Sequence, residues 1–308
     1  MKTVTSRAED VTLHVGEAAK AGLCRVADGL IQEALERISQ PSRDPAEDVH
    51  FIRTTTKRLL AILRLFRPVI SPRLFKREDV RLKGVARRLA PARESSVARQ
   101  TLDELSQRAA KPRRKALAEV SKHLEQLART PSNTTRDNAV REAARDLDRT
   151  RRSFQQLRTT SDDWHTLVPG LHLVYQQARS RMKAAFADGS DAAFHRWRTR
   201  VKALYYQLQT LESVWPKRLG KTVVSLRKLA HKLGADHDLS VLKSILKNAP
   251  GKLGDASARE CVNACVHNES RHLRRVSRSL GETIFADKSR RFIRKLRKHW
   301  KARQKALR

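Results

Sequence analysis

An all-α chain in two related halves is the architecture this sequence predicts, on three observations. Gly (11) and Pro (10) are scarce in 308 residues, so long stretches run without a helix breaker. Apolar residues recur at helical spacing instead of alternating. Two short motifs return in the same order at almost the same offset, and hydrophobic residues, at 39%, suffice to fill a core in each half.

The elements follow in order. Leu13, Leu23, Val26, Leu30 and Leu35 share a face of a first helix over 12–38, broken by Pro41-Ser42-Arg43-Asp44-Pro45. A second helix runs from about Glu47 to Arg67 and stops at Pro68. A third spans Pro72 to about Pro91, a fourth Glu94 to Ala110, a fifth 113–129 and a sixth 135–158. Residues 159–170 are polar and end in Pro169-Gly170, which predicts a linker between bundles over 1–158 and 171–286. In the second bundle helices are predicted at 171–187, 191–214, 217–233, 238–248 and 255–286. A basic C-terminal tail, 287–308, also reads as helical, with Phe292, Ile293, Leu296 and Trp300 on one face.

The charge is lopsided. Lys+Arg number 66 against 32 Asp+Glu, a formal net charge of +34. The tail contributes +10 of this and leaves +24 on the body. Such an excess repels itself in the compact state, whereas solubility needs only a few charges. It calls for a polyanionic partner: nucleic acid, polyphosphate or an anionic membrane surface. Cys24, Cys261 and Cys265 make no disulfide framework. Cys261 and Cys265 sit one helical turn apart with no second ligand pair nearby, so they read as packing and not as zinc ligands. Reduced thiols, no apolar segment from Met1 to Val11 and no run of transmembrane length predict a soluble, cytoplasmic protein without an integral membrane segment.

The repeat carries the functional signal. His50-Phe51-Ile52-Arg53-Thr54-Thr55-Thr56-Lys57 and His195-Arg196-Trp197-Arg198-Thr199-Arg200-Val201-Lys202 share H-x-x-R-T-x-x-K at an offset of 145. Leu89, Glu94, Ser96 and Val97 recur as Leu233, Asp238, Ser240 and Val241 at an offset of 144. At about 100° per residue, His50, Arg53, Lys57 and Arg64 fall within roughly 60°, opposite Ile52, Leu59, Leu63 and Phe66. His195, Arg198 and Lys202 likewise oppose Trp197, Leu204, Leu208 and Leu211. The first stripe is roughly 21 Å long at 1.5 Å per residue, enough to follow several units of a linear polyanion. Lys supplies a point charge, Arg a bidentate fork, and His a donor whose charged form phosphate favours. A charged face opposite an apolar one is also what any solvated surface helix shows; a repeated histidine is not. Lys83 and Arg87 align with Arg227 and His231 and extend the candidate set. Helix starts near Ser95-Ser96 and Asp238 would offer free N–H groups, with Asp238 as an N-cap.

These motifs resemble the CHAD family, a helical domain named for its histidines. The resemblance runs from roughly Leu13 to Phe285. It rests on His50 to Leu59 with Leu63-Arg64-Leu65-Phe66-Arg67-Pro68, on His195 to Tyr206, and on Leu233-Gly234-Ala235-Asp236-His237-Asp238-Leu239. It implies two pseudo-symmetric helical bundles with long antiparallel helices around a basic central channel. It also implies inorganic polyphosphate as ligand and no catalysed reaction. His50, Arg53, Lys57, Arg64, His195, Arg198 and Lys202 would line that channel; Arg58, within the first motif, joins them. Glu94 stands where the family favours Asp, and Ala203 and Tyr205 where further basic residues are common. A triphosphate-hydrolysing CYTH domain, often fused to this family, needs strands that this chain does not offer.

Catalysis finds no support in the motifs. There is no phosphate-binding Gly-rich loop, no dinucleotide fingerprint and no H-E-x-x-H. His231, Asp236, His237 and Asp238 form the densest His/Asp group and read as capping and phosphate contacts, not as a metal site. The sequence therefore predicts a non-enzymatic polyphosphate binder, with recruitment to polyphosphate granules. It needs no cofactor, metal or catalytic residue. The competing reading is a non-specific nucleic-acid binder, for which 5% aromatic residues give few stacking platforms. A third reading lays the amphipathic basic tail on a membrane surface.

Overall fold

Proline and short polar side chains set where the helices begin. The computed structural model describes residues 11–14, 16–127, 133–157, 164–248, 253 and 255–305. After α1 (Ala19–Ser39), α2 (Pro45–Phe66) starts where the Asp44 carboxylate accepts from the Ala46 N–H at 2.9 Å, with Pro45 in the first turn. Ser71 and Pro72 start α3 (Pro72–Arg88) in the same way, and Pro91 opens α4 (Pro91–Arg108). Helices α5 (Lys111–Leu127), α6 (Asn133–Gln155) and α7 (Trp164–Asp188) follow. Ser190 caps α8 (Asp191–Thr210), and a 3-10 turn (Glu212–Val214) leads to α9 (Pro216–Asn248). Asp255 caps α10 (Ala256–Ile284), and α11 (Ser289–Lys305) closes the chain. The described residues contain eleven α-helices and no strand.

Three expectations change. The helices predicted at 217–233 and 238–248 are one helix, α9, of 33 residues. Gly234 lowers helix propensity but does not end the helix, because Leu233, Asp236, Leu239 and Leu242 keep one buried face. Asp238 is therefore no N-cap. In the first half the break exists because Pro91 lacks the N–H that continuity needs; α4 starts there, so Ser95-Ser96 lies inside a helix and not at its start. The linker expected over 159–170 is shorter, since α7 already runs from Trp164 through Pro169; residues 159–163 lie outside the described ones. Gly170 serves packing: a Cβ there would meet Arg64 O at 2.6 Å and Leu65 O at 2.7 Å.

Two apolar clusters hold the helices. The larger draws on α1, α2, α3, α6, α7, α8, the first part of α9 and α11. The smaller joins α4 and α5 to the second part of α9 and to α10, through Leu102, Val120, Leu242 and Val266. Each takes residues from both sides of the predicted linker. Helix α2 packs against α1, α3, α7 and α8, and its Ile52, Leu59, Ile62, Leu63 and Phe66 are buried. Buried carboxylates tie further helices together. Glu78 accepts from Arg81 at 2.6 Å, Thr150 at 3.1 Å and Ser153 at 2.9 Å, joining α3 to α6. Asp236 accepts from Ser270 at 2.5 Å and Arg274 at 3.1 Å, joining α9 to α10.

The C-terminal segment is docked. Phe292 stacks on Tyr175 at 4.6 Å, His299 on Trp215 at 3.7 Å, and Leu296 is fully buried. Its predicted apolar face thus covers the body of the protein, which removes the face a membrane-surface role would use. Among the described residues no helix is long and apolar enough to cross a membrane. Leu296→Ala should destabilise the fold by about 2–5 kcal/mol, the usual cost of emptying a leucine site. A denaturant titration that places the variant within about 0.5 kcal/mol of the wild type would mean that α11 is only loosely seated.

Candidate polyanion-binding site

The site follows from how α2 meets α8. Their contact is fixed by Gln207, whose buried Nε2 donates to Ala61 O at 3.0 Å, and by the Arg58 guanidinium over the Tyr206 ring at 5.8 Å. Trp197, Leu204 and Leu208 bury one side of α8, as Ile52, Leu59 and Leu63 bury one side of α2. The cationic edges of the two helices then lie side by side, with Arg53, Lys57, Arg198 and Lys202 half-buried and His50 and His195 exposed.

The first group centres on Lys57. Burial, then repulsion from Arg198 and Arg53, lowers its pKa from 10.5 to about 8, against the pull of Asp238. Arg53 is oriented by α3, since its Nη1 donates to Ala86 O at 2.7 Å. On α8, His195 holds its Nδ1 3.2 Å from Nδ1 of His237 on α9. One ring of that pair must donate and the other accept, so they share a single proton between them. Burial and the positive charges of Arg198, His195, Lys202 and Lys57 lower His237 to about 3. Burial, Arg198 and Lys57 lower His195 too. In the free protein, burial first and the neighbouring cations second thus favour the neutral form of both rings, and the charged form expected with phosphate would have to be restored by the bound anion.

The second group lies where α2, α3, α7 and α8 meet. Arg64, Arg67, Asp79, Lys83 and Arg200 line a cavity of about 150 Å³ with Phe75. Asp79 lies 3.9 Å from Arg64 and 2.5 Å from Lys83. Burial and Arg200 hold Arg64 below its ordinary pKa, and burial and Arg181 do the same for Arg200.

The predicted residues therefore divide. Arg53, Lys57, His195, Arg198 and Lys202 act on one another, and Arg64 and Lys83 share the second cavity. Arg58 sits against Tyr206, and its buried Nε has no hydrogen-bond partner among the described residues. His50, Arg87, Arg227 and His231 are exposed. Sequence reasoning read His237 and Asp238 as capping and phosphate contacts without placing them beside Lys57, and it missed Arg67 and Arg200 as members. Arg200 lies off the cationic stripe of α8, and His237 joins only because α9 continues through the expected break. The described residues hold no group of three or more His, Cys, Asp or Glu that could bind a metal.

Fold and site together define an all-helical domain with two cationic helices packed edge to edge. The CHAD domain family model matches residues 27–247, most of the chain, and the chain belongs to that family. The crystal structure of the CHAD domain from the plant Ricinus communis superposes with a TM-score of 0.55 over 86% of each chain, at 17% identity. No curated protein matches.

The Lys57 shift has a consequence for stability. Between pH 8 and 10.5 the native state holds fewer protons than the unfolded chain, so Lys57 makes stability rise with pH across that window. The full effect is roughly 3 kcal/mol at 1.36 kcal/mol per pH unit. In denaturant melts Lys57→Met should remove this rise; an unchanged difference between wild type and variant at pH 7.5 and pH 10.5 would mean an unshifted amine.

Proposed function

We propose that this protein is a non-enzymatic binder of inorganic polyphosphate, which lies in a basic channel along the cationic edges of α2 and α8. One observation supports this above the others. Lys57, Arg53, Arg198, Lys202, His195 and His237 converge with Asp238 as the opposing carboxylate, so a costly group of like charges awaits a counter-anion. Duplication of the two halves is supported by the helix starts. Those of α7, α8, α9 and α10 (164, 191, 216, 256) follow those of α1, α2, α3 and α5 (19, 45, 72, 111) by 145, 146, 144 and 145 residues. Membership in the CHAD family agrees with the reading.

A thin linear polyanion suits this site better than a duplex. Lys57, Arg53, Arg198 and Lys202 are half-buried. A single phosphate chain can thread among them, whereas a DNA duplex presents its phosphates on a wide cylinder that cannot follow. Each phosphate that replaces water near Lys57 or His237 favours the protonated form, so binding takes up protons. The protein supplies positioning and charge and no reaction. Attachment to polyphosphate granules follows from the affinity itself.

Replacing His50, Arg53, Lys57, His195, Arg198 and Lys202 together by Ala should weaken long-chain polyphosphate binding by about a hundredfold or more, since two lost charge-assisted contacts suffice. The folded state is checked by circular dichroism, and undiminished affinity overturns the channel. Duplex DNA that displaces polyphosphate at equal phosphate concentration and physiological salt would favour nucleic acid instead. Wild-type affinity should also fall as pH rises through 8, because Lys57 must then gain a proton to bind. Lys57→Arg should flatten that limb; a limb of equal slope in the variant assigns it elsewhere.

A further inference from the structure

A third cationic group lines a cleft between α7 and the start of α11, apart from every residue assigned above. The cleft has a volume of about 540 Å³, and His172, Arg179, Lys183, Lys288, Ser289 and Arg290 line it. His172, Arg179 and Lys183 are 7 and 11 residues apart, so they fall within roughly 40° of one another on α7. Leu173, Val174 and Gln177, which line the Arg64 cavity, are centred roughly 150° round the same helix. The two cavities open on different sides of α7.

The cleft is built rather than incidental. Arg179 is half-buried, and its Nε donates to Phe285 O at 3.1 Å, which aims the rest of the guanidinium. His172 Nε2 and Ser289 Oγ meet at 3.1 Å and join the two walls. Among the described residues no carboxylate lies within ion-pair distance of Arg179, Lys183, Lys288 or Arg290. The nearby Asp287 turns to Lys295 at 2.7 Å and Arg291 at 3.2 Å instead. Four cations around one concave space, without an internal counter-charge, form a site for a ligand with several negative charges close together.

We infer that this cleft binds an oligophosphate group, a short chain of phosphoanhydride-linked phosphates, either free or carried by a nucleoside. A single phosphate would leave much of the volume empty and reach few of the cations. Three of the eight lining residues come from the segment after residue 247, beyond the family match, so this chain's C-terminal segment completes a site begun on α7. Seating of α11 brings Lys288 and Arg290 to α7, so the packing of Phe292 and Leu296 assembles the cleft.

Isothermal titration of the full chain with inorganic tripolyphosphate tests the inference, with Lys183→Ala/Lys288→Ala/Arg290→Ala as the cleft variant. All three side chains are exposed, so the variant keeps the core. A control of equal charge, Lys115→Ala/Lys122→Ala/Arg271→Ala, removes exposed cations elsewhere. The cleft variant should lose one equivalent of bound tripolyphosphate, or roughly tenfold or more in its affinity, and the control should lose neither. The His172 ring resonance should shift with ligand in wild type and control but not in the cleft variant. Arg53→Ala/Arg198→Ala should keep the cleft equivalent, so failure of the channel reading and failure of this one give different results. ATP that displaces tripolyphosphate one for one marks a nucleoside carrier, and ATP that does not marks the free chain. Equal behaviour of cleft and control variants overturns the assignment.

Discussion

The packing of α2 against α8 is the contact on which the site depends. Both helices must bury large apolar side chains, and α2 does so against five neighbours at once. Each fully buried Leu, Ile or Phe is worth about 1.5–3 kcal/mol, and α2 alone buries Ile52, Leu59, Ile62, Leu63, Leu65 and Phe66. Against that sum, holding a Lys57 ammonium among arginines costs roughly 3 kcal/mol. Apolar burial wins, and the cations are carried into proximity that they would avoid in isolation. Without the Gln207–Ala61 contact and its surrounding leucines, the same residues would be two ordinary solvated stripes.

The scarce acids explain why the repulsion stays uncancelled. The chain has 32 carboxylates for 66 cations, and several of the best-placed ones serve as joints between helices. Glu78 ties α3 to α6, Asp28 ties α1 to α6 through Arg151 at 2.7 Å, and Asp236 ties α9 to α10. The buried ones, Glu78 and Asp236, cannot be removed without stranding their partners, so they are committed to the fold. Asp238 and Asp79 are left beside the cationic edges, one to each group. Acids are thus used where rigidity is needed and withheld where an anion would compete with them.

Much of this was legible in the sequence because helical periodicity is a local signal. Pro72 marks a helix start, the starts expected at Glu47 and Glu94 fall within three residues of those at Pro45 and Pro91, and the opposed faces of α2 and α8 follow from residue spacing alone. What escaped was tertiary. Gly234 and Asp236 resemble a break until Asp236 is seen to be satisfied by Arg274 across the bundle. Pro169-Gly170 resembles a linker until Gly170 is seen pressed on the backbone of Arg64. His237 and Arg200 joined the cationic groups through neighbours that no single helical wheel displays. The basic tail read as free because its apolar face had no visible partner in sequence, whereas Tyr175 and Trp215 provide one.

On the proposed function, folding and ligand binding are coupled through charge. A site whose cations depress one another's proton affinity stores free energy in the empty state, and any anion that neutralises them releases it to both affinity and stability. The release is larger for a flexible chain that can touch both cationic groups than for a compact anion that meets one. Length of the anion, more than its chemical head, would then set the affinity at α2 and α8. Sites that trade stability for function in this way are expected where the surrounding packing is strong enough to bear the cost. Here α2, packed through Ile52, Leu59, Ile62, Leu63, Leu65 and Phe66, supplies that strength.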